Sequence, residues 1–566
     1  MRNGRYDLDP VTVGLSLLLF AFFGVFLVYP SCYMVREAFQ VDGRFSWLPF
    51  QLLAQSPLQQ ESLLNSLVIA VSVTLGATVV AAPMAWLLTR FDFRGKAFLN
   101  ALLLAPMVLP PFVGAIGLKQ LLAQFGSLNL LLMELGWIAE SQPVDWLGSG
   151  GMAGITVLLV FSFYPILLLN LNASMANIDP ALLEAAHSLG AGHWRVFRSV
   201  IVPLVMPSYF AGAAVVFIAA FTDLGAPLIF GFSRVVPVQI FEAVTDMNAN
   251  PSGSAWVVLV LAMSTCIFWV SRRWLGARRF EMVPKASAAA ERQASPRQTL
   301  WIWLMLGGWS FLCLAPHVTV AVQSIADRWF FTVLPESTTL DHFKELAAHG
   351  LTSQSIKNSL FYSLCSAVID LLLGVAIAWL LTRRRAIGAG LLDALAMIPI
   401  ALPGLVLAFG YAAAFDFNIP WLNPRSDPTL LLILSYSVRR LPYVVRSACA
   451  GFQQSSITLE EASASVGAPP GRTLWRITLP LVRAHLIAGT LLAFSFAMLE
   501  VSDGLVLAMR DAFFPMTKMI YALMGRVDPQ SGSIACALGV LGMLILGASL
   551  LLASRLLGKS LGQIFR

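Results

Sequence analysis

The chain has 566 residues, 58% of them hydrophobic and 12% charged, with a formal net charge of +7 and a mean hydropathy of +0.76. Soluble domains carry about 25% charged residues, so this composition excludes a water-soluble globular protein. It also excludes a membrane barrel, whose strands alternate in segments of about ten residues; the apolar runs here reach the roughly 20 residues that a membrane-crossing helix needs.

In chain order, those runs predict spans over 11–34, 65–89, 97–122, 152–172, 207–231 and 255–271, then over 299–324, 358–382, 388–412, 429–449, 484–509 and 533–554. The first run is too long for the apolar region of a signal peptide and reads as a retained span. The two sets are related by an internal repeat. Asn65-Ser66, Ala85-Trp86-Leu87-Leu88-Thr89-Arg90 and Pro106/Pro110 recur with the same spacing as Asn358-Ser359, Ala378-Trp379-Leu380-Leu381-Thr382-Arg383 and Pro399/Pro403. Repetition on this scale means two homologous units in one polypeptide. The expected fold is therefore all-α: a polytopic membrane helix bundle of about twelve transmembrane helices in two homologous six-helix halves. Six spans is an even number, so the halves share one orientation and are related by an axis along the membrane normal. The expected division is 1–271 for the first half, 272–298 for a cytoplasmic linker rich in Arg, Ala and Ser, and 299–566 for the second half.

Basic residues alternate between loops. Arg90, Arg94 and Lys96 follow the second span, Arg195 and Arg198 the fourth, and Arg272, Arg273, Arg278, Arg279, Lys285, Arg292 and Arg297 the sixth. Arg383, Arg384 and Arg385 follow the eighth span, Arg472, Arg476 and Arg483 precede the eleventh, and Arg555, Lys559 and Arg566 close the chain. The alternate loops hold Asp145, Glu242, Asp246, Asp327, Glu336 and Asp341. The positive-inside rule then puts both termini in the cytoplasm. The net positive charge is this bias, and it does not indicate a nucleic-acid partner.

The loops after the fourth and tenth spans repeat most specifically. Glu184-Ala185-Ala186 with Gly190 and Pro203 answers Glu461-Ala462-Ser463 with Gly467 and Pro480. Pro180 suits the first turn of a short helix capped by Asp179, and Gly190 and Gly467 suit the left-handed residue that ends one. A second amphipathic stretch follows, with proline expected to end it where the next span begins. The plain alternative is an interfacial helix-turn-helix with snorkelling arginines; two copies with the same Glu, Gly and Pro spacing argue against it.

This loop, Glu-Ala-Ala-x3-Gly-x9-(Ile/Val)-x-(Leu/Val)-Pro, resembles the cytoplasmic loop of bacterial ABC importer permeases. Two such loops in one chain, with Leu441-Pro442-Tyr443-Val444-Val445-Arg446 and Phe221-Thr222-Asp223-Leu224-Gly225, are similar to the fused permeases of the ferric-iron type. That group is in turn similar to permeases for thiamine, 2-aminoethylphosphonate and sugar phosphates. The resemblance covers roughly residues 60–275 and 355–555. It implies that Glu184, Ala185, Ala186, Gly190, Glu461, Ala462 and Gly467 couple the permease to two copies of an ABC ATPase subunit. Ser463 departs from the usual alanine but is still small. The implied partners are those ATPases, a periplasmic substrate-binding protein and the lipid bilayer. No cofactor is implied. The chain has no phosphate-binding G-x4-G-K-[ST] loop of its own: Gly558-Lys559-Ser560 follows a span, and Ala553 stands where the first glycine belongs. ATP hydrolysis is thus expected in a separate partner.

Ionisable residues inside spans are functional candidates by default. Asp223 falls in the fifth span, Glu500 at the matching place in the eleventh, and Asp503 one turn beyond it. Arg439 and Arg440 fall in the tenth span and Asp370 in the eighth. Two readings stand side by side. The acids and arginines neutralise each other inside the bundle, or Asp223 and Glu500 face a pathway from opposite halves and favour a cationic substrate, with Arg439 and Arg440 offsetting them or holding a phosphonate. The proline pairs read as kinks, static or hinge-like. The six cysteines lie singly, and His187 and His193 share a loop without a carboxylate or thiol partner, so no metal site is expected. An ion-coupled secondary transporter would not need two Glu-Ala-rich loops, and no nucleophile-base pair supports a membrane enzyme.

Overall fold

The computed structural model describes residues 9–245, 252–276, 292–384, 386–416, 419–528 and 530–557. Most of the expected linker lies outside them, as do Asp246, Arg278, Arg279, Lys285, Arg385, Lys559, Arg566 and the Gly558-Lys559-Ser560 stretch.

The first half comprises α1 (Pro10–Ala38), α2 (Pro57–Arg90), α3 (Lys96–Val108), α4 (Pro111–Leu122), α5 (Met152–Ala176), α6 (Pro180–Ser188), α7 (Val202–Phe221), α8 (Gly225–Phe230), α9 (Val236–Thr245) and α10 (Ser252–Gly276). The second repeats it as α11 (Pro296–Ser324), α12 (Gly350–Thr382), α13 (Ala389–Ala401), α14 (Gly404–Ala414), α15 (Thr429–Gln454), α16 (Ile457–Ser465), α17 (Leu479–Met498), α18 (Ser502–Leu507), α19 (Met516–Met524) and α20 (Ser531–Leu557). Strand is confined, among the described residues, to three short two-stranded pairings.

All twelve predicted runs are helical, but four of them are broken. Among the described residues nine helices are long and apolar enough to cross a membrane, or up to ten when a bent pair counts as one span. The third and ninth runs are two helices each, not one kinked rod. Pro110 (φ −68°, ψ 124°) and Pro403 (φ −61°, ψ 137°) are extended, so α3 stops at Val108 and α13 at Ala401. The residue before a proline is driven out of the helical region by the proline ring, and Leu109 and Leu402 are accordingly extended. The resulting bend between α13 and α14 is 104°. The fifth and eleventh runs break as well, between α7 and α8 and between α17 and α18.

Helix faces follow their solvent. Along α2, Leu64, Val68, Val71, Leu75 and Val79 form an exposed apolar stripe, whereas Ser66, Ala70, Ala77 and Ala81 are buried. The same division holds in α12, with Phe361, Leu364, Val368 and Leu372 outside and Ser359, Ser363 and Ser366 inside. In a bilayer the outward stripe gains nothing by being covered, and small inward residues let helices approach closely.

The first helix of each half lies on the other half. From α1, the Phe26 carbonyl accepts from Tyr411 Oη of α14 at 2.6 Å, and the Phe26 and Phe415 rings stack at 6.2 Å. From α11, His317 Nε2 lies 3.3 Å from the Pro110 carbonyl oxygen, which also accepts the Val113 and Gly114 amides at the start of α4. A Cβ on Gly117 of α4 would overlap the Pro316 carbonyl oxygen, so the crossing needs glycine there.

Candidate functional site

The four breaks converge. A cavity of about 290 Å³ is lined from the first half by Pro110, Ala219, Thr222, Asp223, Leu224 and Gly225, and from the second by Gly404, Arg439, Arg440, Phe496, Leu499, Val501 and Ser502. Ala219, Thr222, Leu224 and Gly225 stand at the repeat positions of Phe496, Leu499, Val501 and Ser502. The cavity is therefore built from equivalent segments of the two halves.

Its charges are not equivalent. Asp223 lines the cavity, accepts a hydrogen bond on Oδ2 from the Ala226 amide at 2.9 Å, and has no ion-pair partner among the described residues. Glu500, its repeat partner, is 5% exposed and turned away, bound by both Arg439 and Arg440. Asp503 is fully buried; its Oδ1 lies 3.3 Å from Arg439 Nη1 and its Oδ2 accepts from Ser435 Oγ at 2.9 Å. Asp370 accepts from Ser437 Oγ at 2.6 Å. The Arg440 guanidinium sits 5.8 Å from the centre of the Phe496 ring. So the structure brings Arg439, Arg440, Glu500 and Asp503 into one buried network, with both arginines lining the cavity and both acids behind them. Burying such a group is costly unless it is paired and hydrogen-bonded, which is why the four charges come together. The first half has Ser162 and Phe163 in place of the arginines, so nothing there draws Asp223 away.

The repeated loops fold as matched helix-turn units. Asp179 Oδ1 accepts from the Ala181 amide at 2.9 Å and Ser456 Oγ from the Thr458 amide at 3.3 Å, capping α6 and α16. Gly190 (φ +79°) and Gly467 (φ +81°) end them in the left-handed region. The amides of Ala191 and Ala468 reach back to the carbonyls of Ala186 and Ser463, both at 3.1 Å, the closure that a left-handed terminal residue permits. Glu184, Ala185, Glu461 and Ala462 are exposed; Ala186 is half-buried and Ser463 buried. Leu189 and Val466, each just before its glycine, are 88% and 84% exposed. The stretch after each glycine does not stop at its proline. It runs into the next span through a π turn, Phe197–Ile201 in one half and Leu474–Thr478 in the other. Pro203 and Pro480 lack the amide that an unbroken α-helical ladder would use, and the wider turn precedes them both.

Two features escaped the sequence reading. One is an ion pair from Arg383 Nε to Glu460 Oε1 at 2.9 Å, which ties α16 to α12. The other explains the repeated Asn-Ser. Asn65 Nδ2 donates to the Arg234 carbonyl at 3.0 Å and Ser66 Oγ accepts from the Val236 amide at 2.9 Å. Asn358 Nδ2 donates to the Phe514 carbonyl at 3.1 Å and Ser359 Oγ accepts from the Met516 amide at 2.8 Å. Both pairs thus fix the starts of α9 and α19, which meet across the halves through Phe241 and Tyr521, ring centres 6.4 Å apart. The repeat itself was the available signal for these residues.

Comparison with known proteins gives the same duplicated picture. The model of the binding-protein-dependent transport system inner membrane component matches residues 74–278 and 370–563. The ferric transport system permease protein FbpB of Actinobacillus pleuropneumoniae is 28% identical over 96% of this chain and 78% of its own length. The spermidine/putrescine transport system permease protein PotB of Escherichia coli is 29% identical over 47% of this chain and 97% of its own length. A crystal structure of a bacterial ABC transporter involved in alginate import aligns with 48% of this chain and 96% of its own, at 15% identity and a TM-score of 0.40. With the family model matched twice along one polypeptide, the chain belongs to the binding-protein-dependent transport system inner membrane components, as a fused, multi-pass ABC importer permease.

Proposed function

We propose that the permease carries ferric iron, delivered by a periplasmic binding protein, through the cavity between its halves to the cytoplasm. The observation that carries this reading is Asp223, a carboxylate lining the cavity with no ion-pair partner among the described residues. A carboxylate lowers the cost of holding a cation where the dielectric is low. The relatives named for ferric transport, and those named for spermidine and putrescine over one half, support it: both named cargoes are cations.

In this reading the driving force comes from outside the chain. Two copies of a separate ABC ATPase dock on α6 and α16, with Glu184, Ala185, Ala186 and Gly190 in one loop and Glu461, Ala462 and Gly467 in the other as the coupling residues. The matched, exposed geometry of the two loops supports two equivalent docking surfaces. Both termini and the 272–298 linker then lie in the cytoplasm, between halves at 1–271 and 299–566. The test is uptake of labelled iron by cells expressing the permease with its ATPase and binding protein. Uptake is expected to fall at least several-fold in Asp223→Asn. Iron uptake no higher than in cells lacking the permease would overturn the proposal.

A second reading has its own observation. Arg439 and Arg440 also line the cavity, and guanidinium is the natural partner of phosphate and phosphonate oxygens. A substrate with both charges, such as 2-aminoethylphosphonate, or thiamine or a sugar phosphate, would use them. Robust phosphonate uptake without iron uptake would select it.

A further inference from the structure

The two halves differ beneath their loops. In the second, Arg383 is fully engaged: beyond Glu460, its Nη2 donates to the Phe452 carbonyl at 2.7 Å and the Ser455 carbonyl at 3.0 Å. The repeat puts Arg90 at the matching end of α2, but Leu183 stands where the second loop has Glu460. Arg90 is exposed and, among the described residues, has no ion pair or hydrogen bond through its side chain. A parallel pairing of Phe91 with Arg292 brings a second exposed arginine beside it.

Between α2, α5, α6 and the start of α7 lies a groove of about 1010 Å³. Trp86, Leu171, Phe197, Val205 and Met206 form its walls, and Arg90, Arg292, His187 and His193 lie at its loop end. Its lining runs from Trp194 to Tyr209. Fifteen residues of helix cover about 22 Å, enough to traverse one leaflet of a hydrocarbon core roughly 30 Å thick. A basic end continuing into an apolar trough of leaflet depth matches an amphiphile with an anionic head. Free phosphate would leave the trough unfilled.

We propose that this groove seats one anionic phospholipid, its phosphate on Arg90 and Arg292 and an acyl chain along Phe197, Val205 and Met206. Basic pockets between transmembrane helices hold anionic headgroups by the same physics. The lipid ties α6 to α2 in the first half, where the Arg383–Glu460 pair ties α16 to α12 in the second. Only the choice of the cytoplasmic leaflet rests on the orientation proposed above.

The test is native mass spectrometry of the full-length permease equilibrated with equal phosphatidylglycerol and phosphatidylcholine. Retention of a single phosphatidylglycerol is expected. Arg90→Ala combined with Arg292→Ala should lower the preference about thirty-fold, at about 1 kcal/mol for each arginine. Met206→Trp, which fills the trough and leaves the arginines, should lower retention of both lipids, and Arg198→Ala should change neither. An unchanged preference in the double variant overturns the proposal. So does inorganic phosphate binding to Arg90 and Arg292 with phosphatidylglycerol retention unaffected by Met206→Trp. Retention is read in symmetric lipid, so it stands or falls independently of the import reading; cysteine labelling of the 272–298 linker in oriented vesicles tests the leaflet separately.

Discussion

Arg439 stands between two carboxylates, on Glu500 and 3.3 Å from Asp503. Removing one partner of a buried ion pair typically costs about 3–5 kcal/mol, because the remaining charge is left without compensation. Arg439→Ala is therefore expected to lower the detergent melting temperature and yield sharply. Asp223→Asn should do neither. An asparagine side-chain oxygen still accepts from the Ala226 amide, so the fold survives while cation transport falls. A thermal-shift comparison of the two variants separates them; equal destabilisation would mean that Asp223 is also a structural charge.

At the scale of elements, α6 and α16 end on glycines whose φ is +79° and +81°. A Cβ at either position would meet nothing within 4 Å, so the space is open and the backbone alone restricts the residue. A left-handed conformation costs an ordinary L-residue roughly 1–2 kcal/mol, and asparagine is among the residues that tolerate it. Gly190→Val with Gly467→Val is expected to reduce binding-protein-stimulated ATPase activity of the assembled complex, and the Asn pair to reduce it less. Equal activity in all three would remove α6 and α16 as coupling elements. Arg383 adds a contrast between the halves. Arg383→Ala removes the pair that holds α16 against α12, so hydrogen exchange over 457–465 should accelerate while 180–188 is unaffected.

The whole molecule is interleaved, since α1 lies on the second half and α11 on the first. A half expressed alone leaves these surfaces without their partners. Gly117→Leu drives a side chain into the Pro316 carbonyl where α11 crosses α4. Limited proteolysis of this variant is expected to cut the chain between its halves and release them as separate pieces, whereas the nicked wild-type permease should stay together in mild detergent. A nicked variant that stays together as well would show that α11 holds by its other contacts.

The sequence by itself determined the helical membrane class, the duplication, the loop motif and its glycines, because each is written in composition or in local spacing that a repeat makes visible. It placed every predicted run on helix. It did not determine that four runs break, because an apolar stretch with prolines reads alike whether bent or interrupted; the answer depends on what packs around the break, as His317 does at Pro110. The network of Arg439, Arg440, Glu500 and Asp503 was one of two open readings at the level of residue types. Tertiary structure decided between a facing and an engaged carboxylate at Asp223 and Glu500, since only the second half supplies arginines close enough to draw its acid out of the cavity. The groove beside Arg90 was not legible at all: that Leu183, unlike Glu460, offers Arg90 no carboxylate could be read from the repeat, but the trough itself appears only when α2, α5, α6 and α7 lie side by side.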